Sequence, residues 1–168
     1  FFIFELFNVI PDILCLAKGM GGGMPIGAFI SSTKNMSVLS EKPQLGHITT
    51  FGGHPVSCAA ALATFKELQK SEIIDNINQK ETLFKKHLKH PKIKNINSCG
   101  LMLALEFENQ EICQKIVQES LNNGIITFYF LFNKRSMRIS PPLTIQNSDI
   151  IEACGIIIKT INNYYNIK

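Results

Sequence analysis

The sequence predicts an α/β protein that ends in a small α+β domain. Two short apolar runs, at residues 13–17 and 28–30, flank a glycine-rich loop and are typical of buried strands in a parallel sheet. A helix start follows at Pro55. Beyond residue 71, short strands alternate with amphipathic helices without long glycine-rich runs, which favours an α+β arrangement.

The length and composition of the chain allow two domains. With 168 residues, of which 45% are hydrophobic, the chain can bury a substantial core. We expect the end of a larger domain over residues 1–72, and a linking helix with the small domain over residues 73–168. Residues 1–10 lack a basic signal-peptide region, and no run reaches the roughly 18 apolar residues of a membrane span. We therefore expect a cytoplasmic protein whose first residue lies within a domain.

Charge and cysteine usage exclude several functional classes. The net charge of +4 comes from 15 Lys and 2 Arg spread along the chain, so the sequence shows no basic stripe of a nucleic-acid-binding protein. Five widely spaced cysteines without a C-x-x-C pair indicate neither a disulfide framework nor a zinc site. We expect them to be reduced and buried. His87 and His90 could share a helix face and bind a metal, but a solvated face is the favoured interpretation.

Local patterns predict the helices of the first part of the chain. Residues 35–40 are expected to form a short helix. Pro55, at a first helical position, predicts a longer helix, and its small residues at 57–63 imply close packing against another element. Apolar residues recur at near-helical spacing over 73–88, which predicts a polar helix that bridges the two domains.

In the second part of the chain, predicted strands alternate with predicted helices. The predicted elements are strands at 93–96, 101–107, 125–132 and 137–140, and amphipathic helices at 112–121 and 150–161. Gly124 is typical of the position after a helix C-terminus, and Pro141 ends a strand. Asn147 or Ser148 is expected to cap the final helix.

Lys18 is the first candidate for chemistry, because it stands between an apolar run and the glycine-rich loop KGMGGGMPIG at positions 18–27. A lysine that is partly desolvated there would have a lowered pKa and could attack an aldehyde. The alternative is a strand that ends in a flexible turn, with Lys18 at the surface. The loop matches neither the Walker pattern nor the dinucleotide pattern G-x-G-x-x-G.

Two further segments have a functional and a structural interpretation. Thr49 and Thr50 precede Pro55 in the sequence HITTFGGHP, where they could cap the helix or hold a phosphate at its N-terminus. Arg138 lies in SMRISPPLT, ahead of a rigid Pro-Pro pair. Its planar guanidinium suits bidentate binding of a carboxylate, whereas a surface ion pair at a strand end is the simpler interpretation. Arg135 is interpreted as a surface residue.

These segments resemble class III, ornithine/acetylornithine-type aminotransferases, which bind pyridoxal 5'-phosphate (PLP). The resemblance covers nearly the whole chain and implies that Lys18 bonds covalently to PLP. It also implies that Thr50, with Thr49 beside it, holds the phosphate across a dimer interface, and that Arg138 binds a substrate carboxylate. The implied fold is the C-terminal part of a fold type I large domain, a mostly parallel sheet with helices, followed by the small domain.

The resemblance implies amino-group transfer from an ω-amino acid such as N-acetylornithine or ornithine to 2-oxoglutarate. Lys18 would then also move the substrate proton. In the family, an upstream half supplies a glycine-rich phosphate loop, an aromatic residue that stacks on the PLP ring and an Asp for the ring nitrogen. Expected partners are a second copy and a possible separately encoded N-terminal half, with no nucleic acid and no membrane. The alternatives are a 4-aminobutyrate-type substrate, a mutase of the glutamate-semialdehyde type, and an inactive remnant that only associates with another polypeptide.

Overall fold

A computed structural model describes residues 1–44 and 46–166 of the chain. Residues 167 and 168, the end of the predicted small domain, lie outside the described residues. The chain divides into two compact units, unit 1 (Phe1–Ile74) and unit 2 (Asp75–Lys168). The boundary expected from the sequence falls two residues earlier, after residue 72.

The described residues of unit 1 form a two-stranded sheet, two helices and three short 3₁₀ turns. Its strands are β1 (Ile13–Leu16) and β2 (Ala28–Ser31), its helices are α1 (Thr33–Ser37) and α2 (Pro55–Leu68), and its 3₁₀ turns are Ile3–Phe7, Lys18–Gly21 and Val38–Ser40. A further short helix, α3 (Ser71–Asp75), spans the boundary between the units. The helix predicted at 35–40 is thus a short α-helix continued by a 3₁₀ turn.

The two strands of unit 1 confirm the predicted strand positions but not their expected surroundings. They pair antiparallel, with Ile13 opposite Ser31 and Leu16 opposite Ala28, whereas a parallel sheet was expected. No residue of either strand is fully buried, because within the described part of unit 1 no second layer covers this narrow sheet. A continuous apolar run therefore indicated strand formation correctly, but neither burial nor strand direction.

Up to residue 166, where the description of the chain ends, unit 2 is a four-stranded antiparallel sheet packed against three helices. Its elements are α4 (Ile77–His87), β3 (Asn95–Cys99), β4 (Met102–Glu106), α5 (Gln110–Asn122), β5 (Phe128–Tyr129), β6 (Ser136–Ile139) and α6 (Asn147–Tyr164). The strand order is β3-β4-β6-β5. An amphipathic α5 and a long α6 match the helices expected from the sequence, whereas the single polar helix expected over 73–88 is divided between α3 and α4, with residue 76 in neither. Together with unit 1, this arrangement confirms the α/β fold class.

The core of unit 2 lies on one face of this sheet. Residues alternate along β4 and β6, so that Leu103, Leu105, Met137 and Ile139 are buried while the residues between them point to the opposite face. The apolar residues of the helices complete the core, including Phe84 of α4, Cys113 and Ile116 of α5, and Ile150, Cys154, Ile157 and Ile161 of α6. The opposite face of the sheet, here called the open face, carries Arg138.

Several details of unit 2 differ from the sequence predictions. The strand expected over 93–96 is β3, which begins at Asn95 and ends at Cys99. The strand expected over 125–132 shrinks to Phe128–Tyr129, because most of that segment runs as a loop at the sheet edge. The N-cap of α6 is Gln146 rather than Asn147 or Ser148, and its side chain makes no capping hydrogen bond. His90 contacts Asn162 of α6 at 2.9 Å, and no group of metal-binding side chains occurs among the described residues.

The cysteines only partly match the expectation of buried thiols. Cys113 and Cys154 are buried in the core of unit 2, where loss of solvation raises their pKa values to about 11 and about 12. The other three thiols, Cys15, Cys58 and Cys99, are exposed because they lie on strand or helix faces that no other described element covers. Among the described residues, none of the helices is both long enough and apolar enough to cross a membrane.

Glu81 of α4 ties that helix to the turn between β3 and β4. Its carboxylate accepts hydrogen bonds from Ser98 Oγ at 2.6 Å and Gly100 N at 2.9 Å, and pairs with Lys85 Nζ at 2.7 Å. Partial burial raises the pKa of Glu81, but the hydrogen bonds from Lys85, Ser98 and Gly100 outweigh it, so the pKa lies below 4.5. Ionised Glu81 therefore stabilises unit 2.

We predict that Glu81→Gln lowers the free energy of unfolding by about 1–3 kcal/mol at neutral pH, since the two partly buried donors, Ser98 Oγ and Gly100 N, lose a charged acceptor. The stabilisation is fully present above the unfolded-state pKa and is lost as the pH falls through the lower folded-state pKa. Urea unfolding of both proteins at several pH values measures this. The difference should shrink steadily below pH 4.5.

The matched control is Glu111→Gln, which removes an exposed ion pair with Lys115 at 2.8 Å on α5. That pair is solvated, so stability should not change measurably. Equal effects of the two substitutions, or a Glu81→Gln effect that persists undiminished in acid, would contradict the assignment.

Candidate active site

Lys18 follows β1 after a single residue and begins the 3₁₀ turn Lys18–Gly21. Its φ of 59° lies in the left-handed region, which non-glycine residues rarely adopt. The antiparallel pairing of Leu16 with Ala28 brings the two ends of the loop at 17–27 together. The lysine therefore sits at the point where the chain leaves the sheet, on a loop with fixed ends.

The glycine-rich loop packs directly against α2. A Cβ atom added at Gly22, whose φ is +56°, would lie 2.2 Å from Thr64 Oγ1 and 3.9 Å from the Ala60 carbonyl oxygen. Thr64 Oγ1 itself donates a hydrogen bond to that carbonyl oxygen at 2.9 Å, which fixes the hydroxyl. The close packing expected from the small residues of α2 is thus confirmed, and glycine is required at position 22 for both space and backbone conformation.

The side chain of Lys18 is exposed, whereas the sequence suggested partial desolvation. The reason is local: its neighbours in the loop are glycines, which offer little surface to cover it. No hydrogen bond or ion pair joins Lys18 Nζ to any of the described residues, and a Cβ added at Gly19 or Gly23 would meet no atom within 4 Å. Among the described residues the amine therefore has no competing partner, and the space next to Gly19 and Gly23 is open.

Thr49 and Thr50 lie in a turn that precedes α2. Gly52 N donates a hydrogen bond to the Thr49 carbonyl oxygen at 3.2 Å, and His54 is the N-cap residue of the helix. His54 makes no side-chain capping bond, and neither threonine caps α2. The capping interpretation of the threonines is therefore wrong. Within the described part of the chain, the Thr50 hydroxyl makes no hydrogen bond and is available to a ligand.

Arg138 lies at the middle of β6 on the open face of unit 2. Its neighbours across the strands are Ala104 of β4 and Phe128 of β5. Its side chain forms no ion pair with another described residue. Instead, Arg135 occupies the surface ion pair, 2.6 Å from Glu106 Oε1. The simple interpretation of Arg138 as a surface ion pair is therefore wrong, and the interpretation of Arg135 as a surface residue is confirmed.

A cavity of about 500 Å³ lies beside Arg138, within unit 2. Phe128 also lines it, although nothing in the sequence singled this residue out. Phe128 is identified by the strand register, in which it is the partner of Arg138 on the neighbouring strand. The two residues are ten positions apart in the sequence, so no local pattern links them. Thr127 supports the same strand pair, since its hydroxyl donates a hydrogen bond to the Arg138 carbonyl oxygen.

The site residues thus fall into two groups. Lys18, Thr49 and Thr50 belong to unit 1 and are linked through α2, whose middle supports the lysine loop and whose start follows the threonines. Arg138 belongs to unit 2.

A family model described as aminotransferase class-III matches residues 1–161. The chain belongs to the class-III aminotransferases.

Solved structures of class-III aminotransferases share this fold. The ornithine aminotransferase of Toxoplasma gondii ME49 is 31% identical with a TM-score of 0.84, and the match covers 98% of this chain and 40% of that chain. The acetylornithine aminotransferase of Elizabethkingia anophelis is 27% identical, with a TM-score of 0.82 and coverage of 96% and 41%. The adenosylmethionine-8-amino-7-oxononanoate aminotransferase of Methanocaldococcus jannaschii DSM 2661 is 28% identical, with a TM-score of 0.77 and coverage of 92% and 39%. The chain spans about two fifths of the length of these structures.

Class-III aminotransferases use PLP, and the residues of unit 1 fit this cofactor chemically. PLP presents an aldehyde, which requires a free primary amine, and a phosphate, which requires hydroxyl or N–H donors. Lys18 supplies an exposed amine that has no partner among the described residues. Thr50 supplies an unpaired hydroxyl ahead of α2, a helix that begins without a side-chain cap.

We predict that Gly22→Ala displaces the lysine loop from α2, since the new Cβ meets Thr64 Oγ1 and the backbone is strained. The expected local destabilisation is about 1–3 kcal/mol. Hydrogen exchange of the amides at 17–24 measures it. In the double variant Gly22→Ala/Thr64→Ala the clash is absent, so part of the protection should return.

Gly19→Ala is the matched control, because its Cβ meets no atom within 4 Å. It should leave hydrogen exchange in the loop nearly unchanged. If Gly19→Ala and Gly22→Ala increased hydrogen exchange equally, the loop would need its glycines for backbone flexibility and not for packing against α2.

Proposed function

We propose that this chain supplies the lysine of a PLP-dependent aminotransferase that transfers an amino group from an ω-amino acid, such as N-acetylornithine or ornithine, to 2-oxoglutarate. The observation that carries the proposal is the unpaired amine of Lys18, held at the end of β1 by a loop that packs on α2. Membership of the class-III family over residues 1–161 supports it.

Each candidate residue has a separate task in this proposal. PLP, when bound, supplies a ring that accepts electrons from the substrate carbon that bears the amino group. Lys18 Nζ would hold the cofactor covalently, and its amine would carry a proton to and from the substrate Cα. Thr50 and Thr49 donate hydrogen bonds to the phosphate. Arg138 binds a substrate carboxylate through both arms of its guanidinium.

The choice of amino donor rests on the relatives. Two of the similar structures are ornithine and acetylornithine aminotransferases, which supports this substrate class. A third relative carries a different substrate in its name, so the donor is a proposal, and a 4-aminobutyrate-type ω-amine is its alternative. In either case we propose that the ring-stacking residue and the acid for the ring nitrogen are supplied by another part of the same polypeptide or by a separately encoded half, because the chain spans about two fifths of the length of its solved relatives.

The proposal includes an assembly and a location. We propose a homodimer, in which Thr50 serves the cofactor of the partner subunit, and a cytoplasmic protein. The location rests on five free thiols, which a reducing compartment preserves.

We predict that Lys18 reacts with PLP in preference to the other lysines. Adding PLP to the chain, reducing with borohydride and mapping the modified peptides locates the bond that forms. Label concentrated on Lys18 is expected, and Lys18→Arg should abolish it. Lys34→Arg, which changes an exposed lysine of α1, is the control and should retain the label. Label spread evenly over many lysines would favour the alternative of an inactive remnant that only associates with another polypeptide.

We predict that the threonines recognise the phosphate and not the ring. Thr50→Val removes a hydroxyl without changing the size of the side chain, so the PLP concentration needed for half-maximal labelling of Lys18 should rise about five- to tenfold for the loss of one charge-assisted hydrogen bond. Labelling by pyridoxal, which lacks the phosphate, should not change. Equal changes with both compounds would mean that Thr50 acts on the fold of the loop.

A further inference from the structure

The two edges of the unit 2 sheet differ in composition. The strand order β3-β4-β6-β5 leaves β3 and β5 with one unpaired side each within the described part of the chain. Lys94 precedes β3, and Asn95 and Asn97 lie within it, all three exposed. Lysine and short polar residues at an edge strand discourage pairing with another chain. The β3 edge is therefore protected against such pairing.

The β5 edge carries no such protection in its sequence. Residues 125–132 read IITFYFLF, with no charged residue, no proline and no glycine. Aromatic and β-branched residues of this kind favour strands. Ile126 is 90% exposed and Leu131 is 71% exposed. An uncharged, exposed edge that favours strand structure is a template for a further strand.

The backbone of β5 is paired on one side. Phe130 N donates a hydrogen bond to the Ser136 carbonyl oxygen at 3.1 Å, on the side of β6. Tyr129 is the preceding residue and stands opposite Met137. Because the hydrogen bonds of an antiparallel pair join alternate residues, the N–H and C=O groups of Tyr129 point away from β6, towards the free edge. A strand laid along this edge would find both groups available.

The sequence of β5 matches a second copy of itself. Antiparallel pairing about a two-fold axis at Tyr129 places this residue opposite Tyr129 of the second copy, and Phe128 opposite Phe130 of the second copy. Aromatic pairs across neighbouring strands stabilise a sheet. The nearest charged residue in the sequence, Lys134, lies beyond this pairing. Within residues 125–132, pairing therefore brings no like charges together.

We propose that residues 125–132 bind a second copy of this chain, whose β5 pairs antiparallel with the first and joins the two four-stranded sheets into one. Pairing of β5 with β3 is disfavoured, because Lys94, Asn95 and Asn97 would adjoin an apolar strand. Each copy thus offers one edge for this contact, which closes at two copies. The contact is additional to the homodimer proposed around Thr50 and does not depend on the proposed function.

The test combines hydrogen exchange with sedimentation equilibrium of the full 168-residue chain, from micromolar to near-millimolar concentration. Protection of the Tyr129 amide should rise about tenfold or more with concentration, because pairing places it in a hydrogen bond. The Phe130 amide is the internal control, since its bond to Ser136 exists in a single copy. Its protection should change much less. Exchange of the Tyr129 amide that does not depend on concentration would overturn the proposal.

A charge at the β5 edge should disrupt the contact. Leu131→Lys and Ile126→Lys each place an ammonium at an exposed position of the segment. Each should weaken self-association about tenfold or more and remove the concentration dependence at Tyr129. Ile151→Lys, at a 47% exposed position of α6, is the matched control and should associate as the unmodified chain does. Circular dichroism establishes that each variant is folded. Equal effects of Leu131→Lys and Ile151→Lys would overturn the proposal.

Failure of this contact and failure of the proposed function give different results. Leu131→Lys should leave PLP labelling of Lys18 unchanged, and Lys18→Arg should leave the exchange of the Tyr129 amide unchanged. Specific labelling of Lys18 with concentration-independent exchange at Tyr129 would contradict the strand pairing alone. Concentration-dependent protection of Tyr129 without labelling of Lys18 would contradict the aminotransferase proposal alone.

Discussion

Antiparallel strand pairing is the constraint on which both groups of candidate residues depend. In unit 1, pairing of Leu16 with Ala28 closes the loop that carries Lys18. In unit 2, pairing of β6 with β4 and β5 places Arg138 on the open face between Ala104 and Phe128. Because side chains alternate across a strand, a shift of one residue in β6 would exchange Arg138 with its buried neighbours. Register therefore decides which chemistry each surface can perform.

Glycines in two loops add to this constraint, because a residue without a side chain lets the backbone come close to a helix. Gly22 allows the backbone of unit 1 to reach α2, where the Thr64 hydroxyl occupies the space of any Cβ. In unit 2, Gly100 adopts a φ of +56° at the tight turn between β3 and β4, and its N–H binds Glu81. In both cases a glycine permits a contact between backbone and helix that holds neighbouring strands in place.

Local patterns in the sequence predicted the features that depend on neighbouring residues, such as the starts, ends and buried faces of helices. Pro55 marked the start of α2, the spacing of Ile150, Cys154 and Ile157 marked the buried face of α6, and Gly124 followed the end of α5. The class-III motifs around Lys18 and Thr50 predicted the family, which the match over residues 1–161 confirms. Sequence reasoning therefore identified most elements and the family.

What it missed depends on contacts between residues that are distant in sequence. The antiparallel direction of β1 and β2, the exposure of Lys18, and the position of Phe128 opposite Arg138 follow from pairing and layering, which no local pattern encodes. The ion pair between Arg135 and Glu106 is a similar case, because its partners are 29 positions apart (135 − 106). It occupies Arg135 and leaves Arg138 without an ion pair among the described residues. The roles of Lys18, Thr49, Thr50 and Arg138 stay predictions.

The unequal burial in the two units has a calorimetric consequence. Unit 2 holds a continuous apolar core, whereas Ala61 is the buried hydrophobic residue among those described in unit 1. The heat-capacity increment of unfolding scales with the apolar surface that becomes exposed, so unit 2 supplies most of it. The heat-capacity step on unfolding thus reports mainly on the unit that carries Arg138. The unit that carries Lys18 contributes little to that step, and substitutions there can alter reactivity while leaving the step almost unchanged.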